Sequence, residues 1–328
     1  MMNTENENEL LSVKDLRVVY TSDGVPIHAV NGVSFSVEKG KTLGLVGETG
    51  AGKTSIAKAI LGVLPEFSTK SCTGEINFEG VNLLALKERR MAEMRGQKIA
   101  MIFQDPMTAL NPVMTVGNQI AEGIRIHNKV GKKKAKEMAE EMLEMVGIPA
   151  GRYKDYPHQF SGGMKQRVVI AIALSCRPTL LLADEPTTAL DVTIQAQVLE
   201  MIVKLRDEMG MSMIMITHDL GVVAEVCDYV AVIYAGEVVE YGTLSEIYHD
   251  PTHPYTQGLF GALPDISVET ERLHSIQGMP PDPSHLPEGC KFAPRCPYAT
   301  DACRSGEVEL MKIGGTHTCR CLRAKEEG

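Results

Sequence analysis

The chain is short of the features that would place it in a membrane, in a secretion pathway or on a nucleic acid. No stretch approaches the roughly eighteen consecutive apolar residues that a membrane-spanning helix needs. The longest apolar runs, such as "TLLLAD" and "MSMIMIT", are strand-sized and flanked by polar residues. The opening segment "MMNTENENEL" has no basic stretch followed by an apolar one, so nothing in it resembles a secretion signal, and the chain is expected to stay in the cytoplasm. Basic charge is in deficit: 33 Lys and Arg against 42 Asp and Glu give a formal net charge of -9. That balance argues against a protein that grips nucleic acid with a broad basic surface. No internal repeat of roughly 20 to 50 residues and no low-complexity tract is visible.

What remains is an ordinary folded composition, 44% hydrophobic and 23% charged over 328 residues. The length exceeds a typical domain and predicts two units, or one large domain with an appendage. Strands are expected around "LSVKDLRVVY", "VSFSVEKG", "TLGLVG", "GEINFEG", "KIAMIFQ", "TLLLADE", "SMIMITHD" and "YVAVIYAGEVVEYG". Asp23, Gly24, Gly32 and Gly40 read as turn-formers. "KTSIAKAILGVL" reads as a helix ending near Pro65, and the character stays helical between Gln104 and about Pro178. Within that region "GKKKAKEMAEEMLEMVG" places Ala135, Met138, Met142, Met145 and Val146 near one face, with Gly147 and Pro149 as the stop. A core stripe is the reading preferred over a methionine-lined partner groove. From Asp250 onward Pro and Gly multiply, which suggests a boundary near residues 250–260.

The chemistry gathers at a few segments. "GETGAGKTS", Gly47, Glu48, Thr49, Gly50, Ala51, Gly52, Lys53, Thr54 and Ser55, matches G-x-x-x-x-G-K-[ST] between a predicted strand and a predicted helix. Its backbone N–H groups suit a β-phosphate, Lys53 the β- and γ-phosphates, and the Thr54 hydroxyl Mg²⁺. "TLLLADEP" ends a buried run with Asp184, suited to a Mg²⁺ shell, and Glu185, suited to take a proton from an attacking water. "KIAMIFQ" and "SMIMITH" deliver Gln104 and His218 at strand ends. "FSGGMKQ" sets Ser161, Gly162 and Gly163 at the start of a predicted helix, which is a second anion site by construction.

Together, "GETGAGKT", Gln104, "SGGMKQ", "LLLADEP", "TALD" and His218 stand in the order and spacing of the ATP-binding-cassette ATPases, and over residues 10–250 the chain resembles that family. The resemblance implies an α/β P-loop NTPase with a mixed β core, a helical subdomain at about 105–178 within a nucleotide-binding domain at 1–255, and a C-terminal extension at 256–328. It also implies roles. Glu185 is the catalytic base, His218 the switch histidine, and Gln104 a catalytic residue of the Q-loop that also ligates Mg²⁺ with Thr54 and Asp184. Ser161, Gly162, Gly163 and Gln166 belong to the signature, Ala189 to Asp191 to the D-loop, and Tyr20 looks like the aromatic that stacks on adenine. The signature has Met164 where the family usually has glutamine. "TSDGVPIH" is read as a lengthened loop before the phosphate loop. In the family, the signature of one subunit covers the γ-phosphate held by another, which implies a dimer with a copy or a paralogue.

"DPMTALNPVMTVGNQI" after Gln104, "DPTHPYTQGLFGALPD", and the tail "GCKFAPRCPYATDAC" with "THTCRCL" resemble the ATPase subunits of dipeptide and oligopeptide importers, a branch that also serves nickel and some sugars. This implies two integral membrane permease subunits, a receptor acting indirectly, no nucleic acid, and a peripheral place on the cytoplasmic face of the membrane. A soluble cassette ATPase acting on ribosomes or DNA is the alternative. The tail spacing, Cys290-x5-Cys296-x6-Cys303-x17-Cys321 with Cys319 as a rival fourth ligand, matches neither paired CxxC units nor a ferredoxin run. Spacing alone leaves zinc, an iron-sulfur cluster and free or disulfide-linked thiols open. The resemblance implies a [4Fe-4S] cluster, with Zn²⁺ as the alternative, and Cys321 as fourth ligand because His317-x3-Cys321-Leu322 is similar to the family's ending; His317 is read as a turn residue.

Overall fold

The computed structural model describes residues 8–104, 106–188, 191–261 and 276–325. In chain order the strands are β1 (Glu9–Ser22), β2 (Val25–Glu38), β3 (Thr42–Val46), β4 (Thr69–Phe78), β5 (Val81–Asn82), β6 (Ile99–Ile102), β7 (Leu180–Asp184), β8 (Ser212–Thr217), β9 (Tyr229–Tyr234), β10 (Glu237–Thr243), β11 (Met311–Gly314) and β12 (His317–Cys319). The helices are α1 (Lys53–Leu61), α2 (Glu88–Met94), α3 (Pro106–Ala109), α4 (Val116–Asn128), α5 (Lys132–Met145), α6 (Gly162–Leu174), α7 (Val192–Met209), α8 (Leu220–Val226), α9 (Leu244–His249), α10 (Pro254–Phe260) and α11 (Asp301–Arg304). The described residues form two compact units, those within 1–37, 42–84 and 216–328 in the first and those within 38–41 and 85–215 in the second.

The first unit contains a four-stranded sheet, ordered β2-β1-β4-β5, and a second set in which β11, β12, β10, β9 and β3 lie side by side. β3 is buried along its whole length and runs parallel to β9, Leu43 opposite Tyr229 and Val46 opposite Val232. A strand covered on both faces reads as a continuous apolar run, which is why "TLGLV" shows no alternation. The segment "TSDGVPIH" is not a lengthened loop. Asp23 (φ 51°) and Gly24 (φ 81°) supply the two positive-φ residues of a tight hairpin turn, and β2 starts at Val25.

The tail is built into the first unit. β12 pairs with β10, Glu240 opposite Cys319 and Tyr241 opposite Thr318. The fully buried Glu240 carboxylate accepts the N–H of Thr252 at 2.7 Å and of His253 at 3.0 Å, and meets His317 Nε2 at 2.7 Å. A buried carboxylate persists only when its lone pairs are used, so these partners tie the tail to the sheet. His317 is thus a buried strand residue and no turn residue.

In the second unit β8, β7 and β6 are neighbours, with β6 parallel to β7, and the same unit carries α4, α5 and α6. The buried stripe of α5 is Ala135, Ala139, Met142 and Leu143, continued by Val146. Met138 and Met145 flank it half-exposed, one position off the expected face. Small alanines let α5 approach its neighbours where the bulkier Met138 would hold it away.

Burial pushes the His253 pKa from 6.5 down to about 4, while its Nδ1 accepts the Tyr255 N–H at 3.1 Å. The unfolded chain takes up this proton below about pH 6.5 and the folded chain only near 4, so folding stability should fall as pH drops through that window. Urea midpoints should decrease from about pH 7.5 to 5, and His253→Asn should flatten the decline.

Candidate functional site

In the first unit β3 delivers the chain into the loop Gly47 to Gly52, and α1 starts directly after it. Gly52 stands at the helix N-cap with φ 100°, and a Cβ there would lie 2.3 Å from the Ala29 carbonyl oxygen. A Cβ on Gly47 would lie 2.1 Å from the Ile233 carbonyl oxygen. Both glycines are therefore forced by backbone contact. Lys53 is 6% exposed, and its Nζ donates to the carbonyl oxygens of Gly47 at 2.7 Å and Glu48 at 3.0 Å. Ala51 is buried, Thr49 and Gly50 are exposed, and Thr54 and Ser55 are half-buried in the first turn of α1. Tyr20, half-buried near the end of β1, donates its hydroxyl to Ser55 Oγ at 3.1 Å, which places its ring beside the loop. His218 follows β8 as an exposed residue, and Asp219 behind it caps α8 by accepting from Gly221 and Val222.

Glu48 carries two contacts that the motif does not announce. Its backbone N–H donates to Tyr255 Oη at 2.9 Å. Its carboxylate takes both terminal nitrogens of Arg295, at 2.8 and 3.1 Å.

In the second unit Asp184 ends β7 at 2% exposure. Glu185 then takes φ 46°, a left-handed conformation uncommon for a residue with a side chain. Its Oε2 accepts Gln104 Nε2 at 2.8 Å and Thr188 Oγ1 at 2.9 Å. Gln104 and Glu185 are thus brought together as their strand-end positions suggest, while Thr188, first residue of the TALD segment, joins them as a partner the sequence analysis did not assign. Ser161 caps α6 by accepting the Met164 N–H, so the signature does open a helix. Gln166 is buried and donates to the Pro186 carbonyl, tying that helix to the turn after Glu185. A Cβ on Gly163 would lie 2.6 Å from Ile194 Cγ2, and Asp191 caps α7 through the Ile194 N–H at 3.0 Å. Ala189 and Leu190 lie outside the described residues.

None of the eight cysteines is joined in a disulfide. Cys290, Cys296, Cys303 and Cys321 line one cavity together with Arg320 and Arg323, whereas Cys319 sits on β12 and does not line it. Burial pushes the Cys290 thiol up to about 11 and raises Cys296 and Cys321 as well. Among the described residues no three His, Cys, Asp or Glu side chains form a group that could hold a metal ion.

Comparison with known proteins adds the family context. The ABC transporter family model matches residues 30–188, and the oligopeptide/dipeptide transporter C-terminal region model matches 239–303. The chain is 49% identical to a probable peptide ABC transporter ATP-binding protein of Sinorhizobium fredii, covering 99% of this chain and 98% of that protein. It is 50% identical to the dipeptide transport ATP-binding protein of Bacillus subtilis, covering 95% and 94%. It is 47% identical to the oligopeptide transport ATP-binding protein of Escherichia coli, covering 96% and 94%. Among solved structures, a dimeric ATP-binding cassette in a post-hydrolysis state bound to ADP and Pi matches with a TM-score of 0.64 at 25% identity, covering 72% of this chain and 99% of that one.

The glycine contacts yield a direct expectation. Gly52→Ala forces a Cβ onto the Ala29 carbonyl at a left-handed residue, a strain of roughly 1–3 kcal/mol. Calorimetric titration with Mg·ATP should show affinity lowered about tenfold or more, and unchanged affinity would mean the loop can shift without cost.

Proposed function

The chain belongs to the peptide-transporter branch of the ATP-binding-cassette ATPases, and from that premise we propose how its residues turn ATP hydrolysis into peptide import. It binds Mg·ATP, pairs with a second cassette that is a copy or a paralogue, and energises two membrane permease subunits that pass di- or oligopeptides handed over by a receptor. Among the described residues no helix is long and apolar enough to cross a membrane. As the subunit that energises the permeases, it works as a peripheral protein on the cytoplasmic face of the membrane.

The observation that carries hydrolysis is Glu185, turned out of β7 by its positive φ and held by Gln104 and Thr188. Strain of this kind gathers at sites where a side chain must be aimed. Glu185 takes the proton of the attacking water as the water oxygen bonds to the γ-phosphorus and the bridging oxygen leaves with ADP. Base catalysis of this kind is typically worth about 10²- to 10⁴-fold. Lys53 and the loop N–H groups hold the β- and γ-phosphates, Thr54 and Asp184 serve Mg²⁺, and Tyr20 stacks on the adenine. Gln104 is assigned to both Mg²⁺ and Glu185, so it reports whether the γ-phosphate is present; His218 contacts that phosphate. Ser161, Gly162 and Gly163 at the start of α6 cover the γ-phosphate held by the partner cassette, where the helix N-terminus favours an anion. Cleavage removes the group that both chains grip, so the dimer opens.

We further propose that Cys290, Cys296, Cys303 and Cys321 hold a [4Fe-4S] cluster. What supports this reading is that all four cysteines line one cavity, together with Arg320 and Arg323, whose charge would offset that of thiolates. When bound, such a group cross-links three stretches of a loop-rich segment. Because burial favours the neutral thiols, binding would release protons.

Two measurements test these readings. Glu185→Gln should keep Mg·ATP affinity, shift the chain toward dimer in sedimentation, and lose roughly 10²- to 10⁴-fold in steady-state turnover of the assembled transporter; undiminished turnover would remove Glu185 from the role of base. Anaerobically purified protein should be brown and contain iron and sulfide, with both reduced in Cys321→Ser and retained in Cys319→Ser. Stoichiometric zinc in a colourless sample would replace the cluster.

A further inference from the structure

The Gly47–Glu48 peptide of the phosphate loop is held at both ends. Its carbonyl oxygen accepts Lys53 Nζ at 2.7 Å, and its N–H donates to Tyr255 Oη at 2.9 Å. Because a peptide is planar, fixing the N–H direction fixes the carbonyl direction and with it the place of the Lys53 ammonium. Tyr255 comes from α10, more than two hundred residues along the chain, and is fully buried.

The next group outward is Arg295, whose side chain is 5% exposed. Before it reaches Glu48 its guanidinium is already fixed. Nε donates to the Gln277 carbonyl at 3.1 Å, Nη2 to the Ile276 carbonyl at 3.4 Å, and Nη1 to Tyr234 Oη at 3.3 Å. The remaining donor directions meet the Glu48 carboxylate in a two-pronged pair, the geometry for which arginine is suited and lysine is not. Phe292, three residues before Arg295, packs edge-on to Tyr234 at 5.2 Å and against Tyr255 at 5.4 Å, while Tyr234 and Tyr255 lie 4.5 Å apart. The tail and the phosphate loop therefore share one small aromatic and charged cluster.

A carboxylate in a loop that must receive a triphosphate is a liability, since like charges at short range repel. An arginine that neutralises it and draws it away from the loop interior removes that penalty. We propose that Arg295 and Tyr255 are positioning residues of the phosphate loop, holding Glu48 by its carboxylate and its backbone N–H, so that the affinity for Mg·ATP is set in part by the cysteine-rich tail. The inference rests on the reading of Gly47–Ser55 as the ATP loop. It explains why "DPTHPY" and "APRCPY" are placed where they are: the first carries Tyr255, the second Arg295, directly before Cys296. A change in the tail that displaces residues 292–296 would be felt at the nucleotide.

The test uses the full chain and the non-hydrolysable analogue AMP-PNP with Mg²⁺, titrated calorimetrically. Arg295→Met should weaken binding about tenfold, the size of one lost charge-assisted pair. Glu48→Gln added to that variant should recover about threefold or more, because the uncompensated carboxylate is gone. Arg295→Lys and Tyr255→Phe, which are less disruptive, should each weaken binding about threefold and settle the matter if Arg295→Met does not fold. A staple that only anchors the tail would lower the melting temperature of the ligand-free variants and leave AMP-PNP affinity within twofold, and that result overturns the proposal. Absence of recovery by Glu48→Gln overturns it equally. If the parent chain itself fails to bind AMP-PNP, the fault lies with the ATP-loop reading.

Discussion

A phosphate loop has to keep its N–H groups aimed at one point while nothing is bound, and an irregular backbone does this only if something forbids its alternatives. Here the prohibition is steric and polar at once. Gly47 and Gly52 lie against the carbonyl oxygens of Ile233 and Ala29, too close for any side chain. The ammonium of Lys53 is drawn to two loop carbonyls, so the positive charge proposed to receive phosphate also holds the loop in shape. Binding energy that would otherwise go into ordering the loop is left for the ligand.

The second unit solves a different problem. The base we propose for water attack stands at the end of a buried strand yet is aimed away from it: Glu185 has a left-handed backbone, and one of its carboxylate oxygens takes two hydrogen bonds. Gln104 thereby belongs to the same hydrogen-bonded group as the base, which gives a physical route for ligand contacts at Gln104 to alter the orientation of Glu185. The signature helix is joined to the same turn through Gln166 and Pro186, and its tight Gly163 packs against Ile194 of α7. The small residue here is required by packing, whatever approaches the helix start.

Much of this was legible in the sequence because the signals are local. The phosphate loop, the strand-end carboxylates and the serine cap of α6 each depend on residues within a few positions of one another, and all appear where the spacing puts them. The start of β2 was misread because half of that strand, "VPIHAVNG", is only part-buried and lacks clean alternation, although Asp23-Gly24 marks the turn. The face of α5 slipped because alanines and methionines score alike as apolar while packing geometry separates them. Illegible altogether were the pairings across the chain. Glu48 with Arg295 is separated by 247 positions and Glu240 with His317 by 77, and neither partner has a local pattern that points to the other.

Those distant pairings also explain why the tail has a defined place. Between residues 276 and 325 the buried apolar side chains are Phe292, Ala293, Val308, Cys319 and Ala324, too few to stabilise fifty ordered residues alone. The segment is held instead by what it touches: Glu240 through His317, the β10 edge through β12, the Val238 carbonyl through Arg320, and Glu48 through Arg295. Each of these anchors ends on the strand set that carries the phosphate loop or on the loop itself. A segment that borrows its stability from the loop's own scaffold cannot loosen without giving some of that stability back, and the Glu48 contact is where the exchange reaches the nucleotide.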